Sequence, residues 1–201
     1  MNTTLRTKCR LRKLLNMQTT IDRWSEKVDK PRNIDQMRDD VLKWMGSQPF
    51  FSRIELESLR QVELGLLRRN STQKHGVCRY LPGTDVSRDG LGPVDVKRID
   101  IHPGLLDEEW YDYGLKVLYH EYIHALGHFH HDAEFKALER RWNGVEKDRG
   151  LRFTEAMRLA NATWIWRCPG CASEFPRRKP GRGGYRCIQC DEVLIDHRIE
   201  D

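Results

Sequence analysis

The stretch HEYIHALGHFHHDAEF, residues 120–135, most constrains what this chain can fold into. It carries five of the chain's eight histidines within twelve positions. Leu115, Leu118, Tyr119, Tyr122, Ile123 and Leu126 form an apolar stripe at spacings of three and four, which predicts a helix over about 105–127. Gly127 is its expected C-terminal stop. On such a helix His120 and His124 share one face, with Cβ atoms about 6 Å apart. Asp132 reads as the N-cap of a further helix carrying Phe135, Leu138 and Trp142 to the Asn143-Gly144 turn.

Two imidazoles one turn apart can both reach one tetrahedral zinc ion. Glu121, a step round the helix, can contact the remaining position without being a ligand. Zinc lowers the pKa of its water from 15.7 to roughly 7. Glu121 is then the expected general base, taking the water's proton and returning it to a leaving amine. The third ligand is open between three histidines. His128 lies one turn past His124, but beyond the expected helix end. His130 completes HExxHxxGxxH, the metzincin pattern, which also requires a Met-turn. Met157 is the only downstream methionine and falls in an expected helix. His131 opens HDAEF. Tyr111, Tyr113, Tyr119 and Tyr122 are candidates for stabilising an oxyanion.

A second metal signature follows. Cys168, Cys171, Cys187 and Cys190 form C-x2-C-x15-C-x2-C, two knuckles able to close a tetrahedral S4 site. So short a segment cannot bury a useful core alone, and a structural zinc contributes on the order of 10–16 kcal/mol in small zinc peptides. With no export signal in view, such pairs imply metal and a reducing compartment rather than disulfides. Cys78 reads as a small buried residue. From Trp164 to Cys190 the chain holds Arg167, Arg177, Arg178, Lys179, Arg182 and Arg186 against one acid, Glu174, a local net of +5. Trp164, Trp166, Phe175 and Tyr185 are interleaved, which suits phosphate pairing and base stacking on single-stranded nucleic acid. The plainer alternative is that these aromatics fill the ribbon's core and the charges are solvated. An acidic run from Asp191 to Asp201 argues against one uniform basic face.

The remaining chain supplies a small sheet. Val62, Leu64 and Leu66 alternate as a strand, though Leu59, Val62 and Leu66 also fit a helix. GVCRYLPG reads as a second strand and VDVKRIDIHP as the clearest one, with the alternation slipping by one between Val96 and Ile99, as at a bulge. Ile21, Trp24, Val28, then Met37, Val41, Trp44 and Met45 predict two short helices separated by Pro31. Ser52 and Glu55 form a capping box, and Thr154 is the expected cap of the helix FTEAMRLAN. The first twenty residues hold five basic residues and no acid, and read as a basic arm or an organellar presequence. No run of about 18 apolar residues exists to span a membrane. With 38% hydrophobic and 32% charged residues, the composition is that of a folded chain with a modest core. Three strands before a long helix predict an α+β class: a small three-stranded sheet packed on a zincin-type HExxH helix and further helices, followed by a C-terminal zinc ribbon.

RIDIHPGLLDEE, VLYHEYIHALGH and HDAEF together resemble the SprT/Spartan family of zinc metalloproteases. RRNSTQKHGVCRYLPG is similar to the strand pair of that family, and the cysteine pairs to its zinc ribbon. The resemblance runs from about Val62 to the C-terminus; residues 1–50 have no counterpart in it. It implies His131 as third ligand, with Phe135 packing behind it. It implies two zinc ions, one catalytic and one structural, and substrates that are proteins associated with or crosslinked to DNA, single-stranded DNA included. It implies a metalloprotease domain over 51–163, a ribbon over 164–201, and a place in the cytoplasm, on a nucleoid or in a nucleus, which leaves residues 1–50 as a helical and basic N-terminal extension. A peptide is expected to pair with the strand near Ile99–Ile101. The alternatives are a zincin of another group cleaving soluble peptides, and a non-enzymatic nucleic-acid-binding zinc protein.

Overall fold

A computed structural model describes residues 33–199. The expected helix with Ile21, Trp24 and Val28, the basic arm, and the last two acids lie outside the described residues. Among the described residues the fold is mixed α+β, with five α-helices and two three-stranded sheets. No helix is long and apolar enough to cross a membrane.

Helix α1 (Ile34–Gly46) starts where the Asn33 side chain accepts the Asp35 amide. Met37, Val41, Leu42 and Met45 come round to one face and are buried in the main core. Each contributes about 1.5–3 kcal/mol by leaving water. The domain boundary expected near residue 50 therefore falls inside the folded body, since α1 belongs to its core. Helix α2 (Arg53–Arg60) begins on the expected capping box of Ser52 and Glu55.

The first sheet has strands β1 (Leu64–Leu66), β2 (Gly76–Tyr80) and β3 (Val96–Ile101) in the order β1-β3-β2. β3 pairs parallel with β1 and antiparallel with β2. The predicted slip is real: Arg79 pairs with Arg98 but Tyr80 with Val96, so Lys97 is the extra residue of a bulge. Val94 precedes the strand, in a 3-10 turn, and is 82% exposed. β3 is central, with both edges paired. A peptide cannot pair at Ile99–Ile101, and that expectation is corrected to β2, an edge strand.

The HExxH helix is α3 (Tyr111–Ala125). Its predicted first turns are not α-helical; two 3-10 turns, Pro103–Leu106 and Glu108–Trp110, carry the chain into it. Pro103 opens the first turn, and the His102 ring accepts the Gly104 amide, capping it locally. Gly127 ends the helix at φ +100°, and a Cβ there would lie 2.5 Å from the Leu91 carbonyl. Helix α4 (Ala133–Glu139) is capped by Asp132, whose carboxylate accepts the Phe135 amide at 2.9 Å. Helix α5 (Arg149–Ala160) starts five residues before the expected cap. Thr154 is thus interior; its hydroxyl donates to the Gly150 carbonyl one turn back.

β4 (Trp164–Arg167), β5 (Glu174–Arg177) and β6 (Ile195–Arg198) form the second sheet, with β4 in the middle. This sheet carries its own small core of Trp166, Cys168, Cys187 and Leu194.

Candidate metal centre

His120 and His124 project from one face of α3, and His131 meets them from the residue before the α4 cap. Their Nε2 atoms converge: His124 to His131 is 3.1 Å and His131 to His120 is 3.2 Å. A tetrahedral zinc at about 2.05 Å from each nitrogen sets such atoms about 3.3 Å apart. The three residues form a group that could hold a metal ion. Phe135 packs against all three rings, with centroids 4.6–4.8 Å away.

The outer ring atoms explain the orientation. His124 Nδ1 lies 2.8 Å from the His128 carbonyl, which can only accept, so this nitrogen carries the proton. His120 Nδ1 donates in the same way to the Glu139 carboxylate at 2.8 Å. Both inner nitrogens therefore present lone pairs to a shared point, where a cation suits them and another lone pair does not. Burial pushes the His124 pKa down to about 4, keeping it a neutral donor at pH 7. Glu139, a turn past Phe135 on α4, went unnoticed in the sequence. Its one signal there is a carboxylate facing back from the helix that HDAEF begins. The hydrogen bond from His120 lowers its pKa.

His128 supplies only its backbone, and His130 lies outside the cluster, its ring beside Phe129. Met157 is a buried residue of the helix α5, so it does not form a Met-turn.

Glu121 is 6% exposed, and its Oε2 accepts the Cys78 amide of β2 at 2.7 Å. Desolvation raises its pKa to about 7, against the lowering effects of His120 and that hydrogen bond. A Cβ on Gly76 would meet Glu121 Oε1 at 2.6 Å, so only glycine lets β2 lie this close. Cys78 is half-buried, not buried as expected, and desolvation lifts its thiol to about 12. It stays protonated and unreactive.

These groups line an open cleft of about 620 Å³ between β2 and α3, a volume in the range of ligand sites. None of the four oxyanion candidates offers a free hydroxyl proton to it. Tyr111 donates to Asp40, Tyr119 to the Leu138 carbonyl, and Tyr122 is buried in the core. Tyr113 Oη lies 2.8 Å from His75 Nδ1. Thr154 Oγ1 has its proton on Gly150, so it accepts from His75 Nε2, and His75 Nδ1 must accept from Tyr113.

The four cysteines form the second group that could hold a metal ion. Cys168 Sγ lies 3.2 Å from Cys190 Sγ, and Cys171 Sγ 3.5 Å from Cys187 Sγ. The two knuckles repeat one turn: Ala172 N bonds Cys168 O, Asp191 N bonds Cys187 O, and both donors have φ near +55°. Around them, Trp166 is stacked on Tyr185 at 4.2 Å with Arg177 over it at 4.9 Å. Arg167 pairs with Glu174 and Arg186 with Asp191. Of the six basic residues, Arg177 makes ring contacts but no ion pair, and Arg178, Lys179 and Arg182 make no ion pair either, among the described residues. Of the four aromatics, Trp166 fills the ribbon's core, Trp164 and Phe175 pack against it, and Tyr185 is 54% exposed.

Compared with protein-family models, curated proteins and solved structures, the chain gives no match in any of the three.

Proposed function

We propose that this chain is a zinc-dependent endopeptidase of SprT/Spartan type acting on proteins bound to DNA. The observation that carries the reading is the convergence of three imidazole Nε2 atoms beside a buried carboxylate, in an open cleft flanked by an edge strand. His120, His124 and His131 would hold the catalytic ion, and Cys168, Cys171, Cys187 and Cys190 a structural one. An ion held by the histidines supplies Lewis acidity, polarising a carbonyl and easing deprotonation of water.

The chain's own residues do the rest. Glu121, with a pKa near neutrality, accepts a proton from water and returns it to the departing amine. Cys78 N–H and the absent side chain of Gly76 hold that carboxylate in place. Glu139 and the His128 carbonyl hold two imidazoles in the tautomer that ligates. The free edge of β2 offers main-chain groups to an extended peptide. In the ribbon, Arg178, Lys179 and Arg182 are available for phosphates and Tyr185 for a base.

Replacing Glu121 with Gln tests the chemistry: zinc content is expected to hold while cleavage of an unfolded protein substrate vanishes. Undiminished cleavage would refute the assigned mechanism. The DNA component is tested apart, with single-stranded oligonucleotide binding measured against salt. Replacing Arg178, Lys179 and Arg182 with Ala is expected to reduce the log–log slope by about 2, at roughly 0.7 per phosphate contact. An unchanged slope removes the ribbon from DNA recognition.

A further inference from the structure

The cleft is electrically lopsided. β2 and α3 run the same way along its two walls: His75 sits by Tyr113, Cys78 by Glu121, and Tyr80 by His124. At the Tyr80 end the lining is aromatic, with Phe129 and Tyr80 in contact at 5.9 Å. At the Tyr113 end the lining includes Lys74, Lys116 and Lys147. They come from three separate segments: the β1–β2 connection, α3, and the α4–α5 connection. The acids of that end are already engaged, Glu139 by His120 and Glu146 by Arg152. Lys116 is near enough to Glu139 to lower its pKa, but none of the three lysines makes an ion pair among the described residues.

We infer that these lysines form a subsite for an acidic side chain of the substrate, on the C-terminal side of the bond to be cut. The inference rests on the peptidase reading and adds a specificity to it. The side follows from strand physics. A peptide added to the edge of β2 pairs more stably when antiparallel. Its C-terminal half then runs from Glu121 toward Tyr113 and the lysines. The position follows from two rises. Lys116 is four residues before His120 on α3, about 6 Å along the axis. An extended peptide covers that in about two residues. Lys74 adjoins His75, which meets Tyr113, and Lys147 lies three residues before Gly150, which abuts the Tyr113 hydroxyl, so both line the cleft roughly one turn further on. The second and third residues after the scissile bond therefore meet the ammonium groups. A carboxylate is favoured over a phosphate because Lys116 lines the wall a turn from His120, where a peptide must lie to be cut.

The test uses the full chain loaded with zinc. A random peptide library is digested and the cleavage sites are read by mass spectrometry. In parallel, fluorescein-labelled decapeptides differing by one Glu-to-Gln change bind the Glu121→Gln variant, followed by anisotropy. The expected results are enrichment of Asp and Glu two or three residues after the cut, and roughly tenfold tighter binding of the Glu peptide, from three partly exposed charge pairs. Lys116→Glu is expected to erase that preference. So is the pair Lys74→Glu with Lys147→Glu, both exposed residues whose exchange leaves the core untouched. Equal binding of the two peptides, acid enrichment before the cut, or an oligothymidylate displacing peptides that show no acid preference would each overturn the subsite. A tenfold binding preference without any cleavage keeps the subsite and sinks the peptidase reading.

Discussion

The two candidate metal sites, one of three imidazoles and one of four thiols, stand in opposite relation to the fold. The histidine trio is mounted on α3 and the start of α4, backed by Phe135 and by a core that runs from Met37 to Met157. The cysteine quartet has a core of four buried residues, two of which, Cys168 and Cys187, are candidate ligands themselves. At the first site an ion would be added to a fold; at the second it would be most of the reason for the fold. The outer contacts differ accordingly. The imidazoles are held by oriented acceptors, Glu139 and the His128 carbonyl. The thiols are met by local groups of the ribbon, backbone N–H such as Cys171 N on Cys168 Sγ and Gln189 N on Cys187 Sγ, and the Ser173 hydroxyl 3.1 Å from Cys171 Sγ.

The largest expected effect tests that contrast directly. Cys168→Ser, or chelation strong enough to strip the thiolates, is expected to unfold residues 164–199, a loss on the order of 10 kcal/mol for that segment. Hydrogen exchange resolved by segment is expected to show α1 to α5 still protected. His124→Ala is expected to abolish binding at the histidine site while the melting temperature moves by only a few degrees. If the histidine variant unfolds the main body, the contrast fails.

Next in size is Glu121→Gln. Cleavage is expected to fall by about 10²–10⁴-fold, the usual contribution of a positioned acid–base group. In metal-free protein the same change has an opposite sign on stability. The Glu121 pKa rises from 4.5 to about 7 on folding. The folded state therefore binds the proton more tightly, and the carboxylate costs stability as pH climbs through that window. Metal-free Glu121→Gln is expected to be more stable than the parent by about 3 kcal/mol at pH 8 and by little at pH 4, measured by urea unfolding. An equal difference at both pH values would show that Glu121 is not desolvated as described.

Glu139→Ala comes third. Losing the carboxylate that orients a ligating imidazole is expected to cost about 10–100-fold in zinc affinity at the histidine site. The cysteine site should be unaffected, as a competition titration with a chromogenic chelator reads separately for the two. Equal weakening of both sites would mean a general loss of folding.

The smallest effect concerns His75, whose pKa falls to about 4, through desolvation first and the neighbouring His102 second. A depressed folded pKa means that stability is lost as pH falls from about 6.5 toward 4. Because the ring is partly exposed, about 1 kcal/mol is expected after allowing for solvent screening. His75→Gln should flatten the dependence, as followed by thermal melts across that range.

Much of the site was legible as spacing. The i and i+4 histidines required a helix face, Asp132 required a helix start, and the four cysteines required a closed tetrahedral cage. Local rules of this kind act within a turn or a knuckle, so the residues themselves announce them. Where one local signal competes with another, the residues alone point to the wrong element. Thr154 looks like a cap, but Arg149 to Phe153 already have helical partners, and its hydroxyl serves His75 instead. The stripe from Leu105 looks α-helical, yet Pro103 and the His102 cap turn it into 3-10.

What the sequence determined alone was the chemistry of the donors and their distance along the chain: imidazoles, a carboxylate and thiols, each at a spacing that a single helix or turn converts into proximity. What only tertiary structure decided was everything that depends on which elements become neighbours. Packing made β3 central and β2 the open edge, drew α1 into the core, and brought Glu139 under His120. It also placed the Cys78 amide on Glu121 and committed the Tyr111, Tyr113 and Tyr119 hydroxyls elsewhere. The physical reason is range: hydrogen-bonding and helical periodicity act over a few residues, whereas burial selects among whole arrangements of elements, and no pattern along the chain encodes that choice by itself.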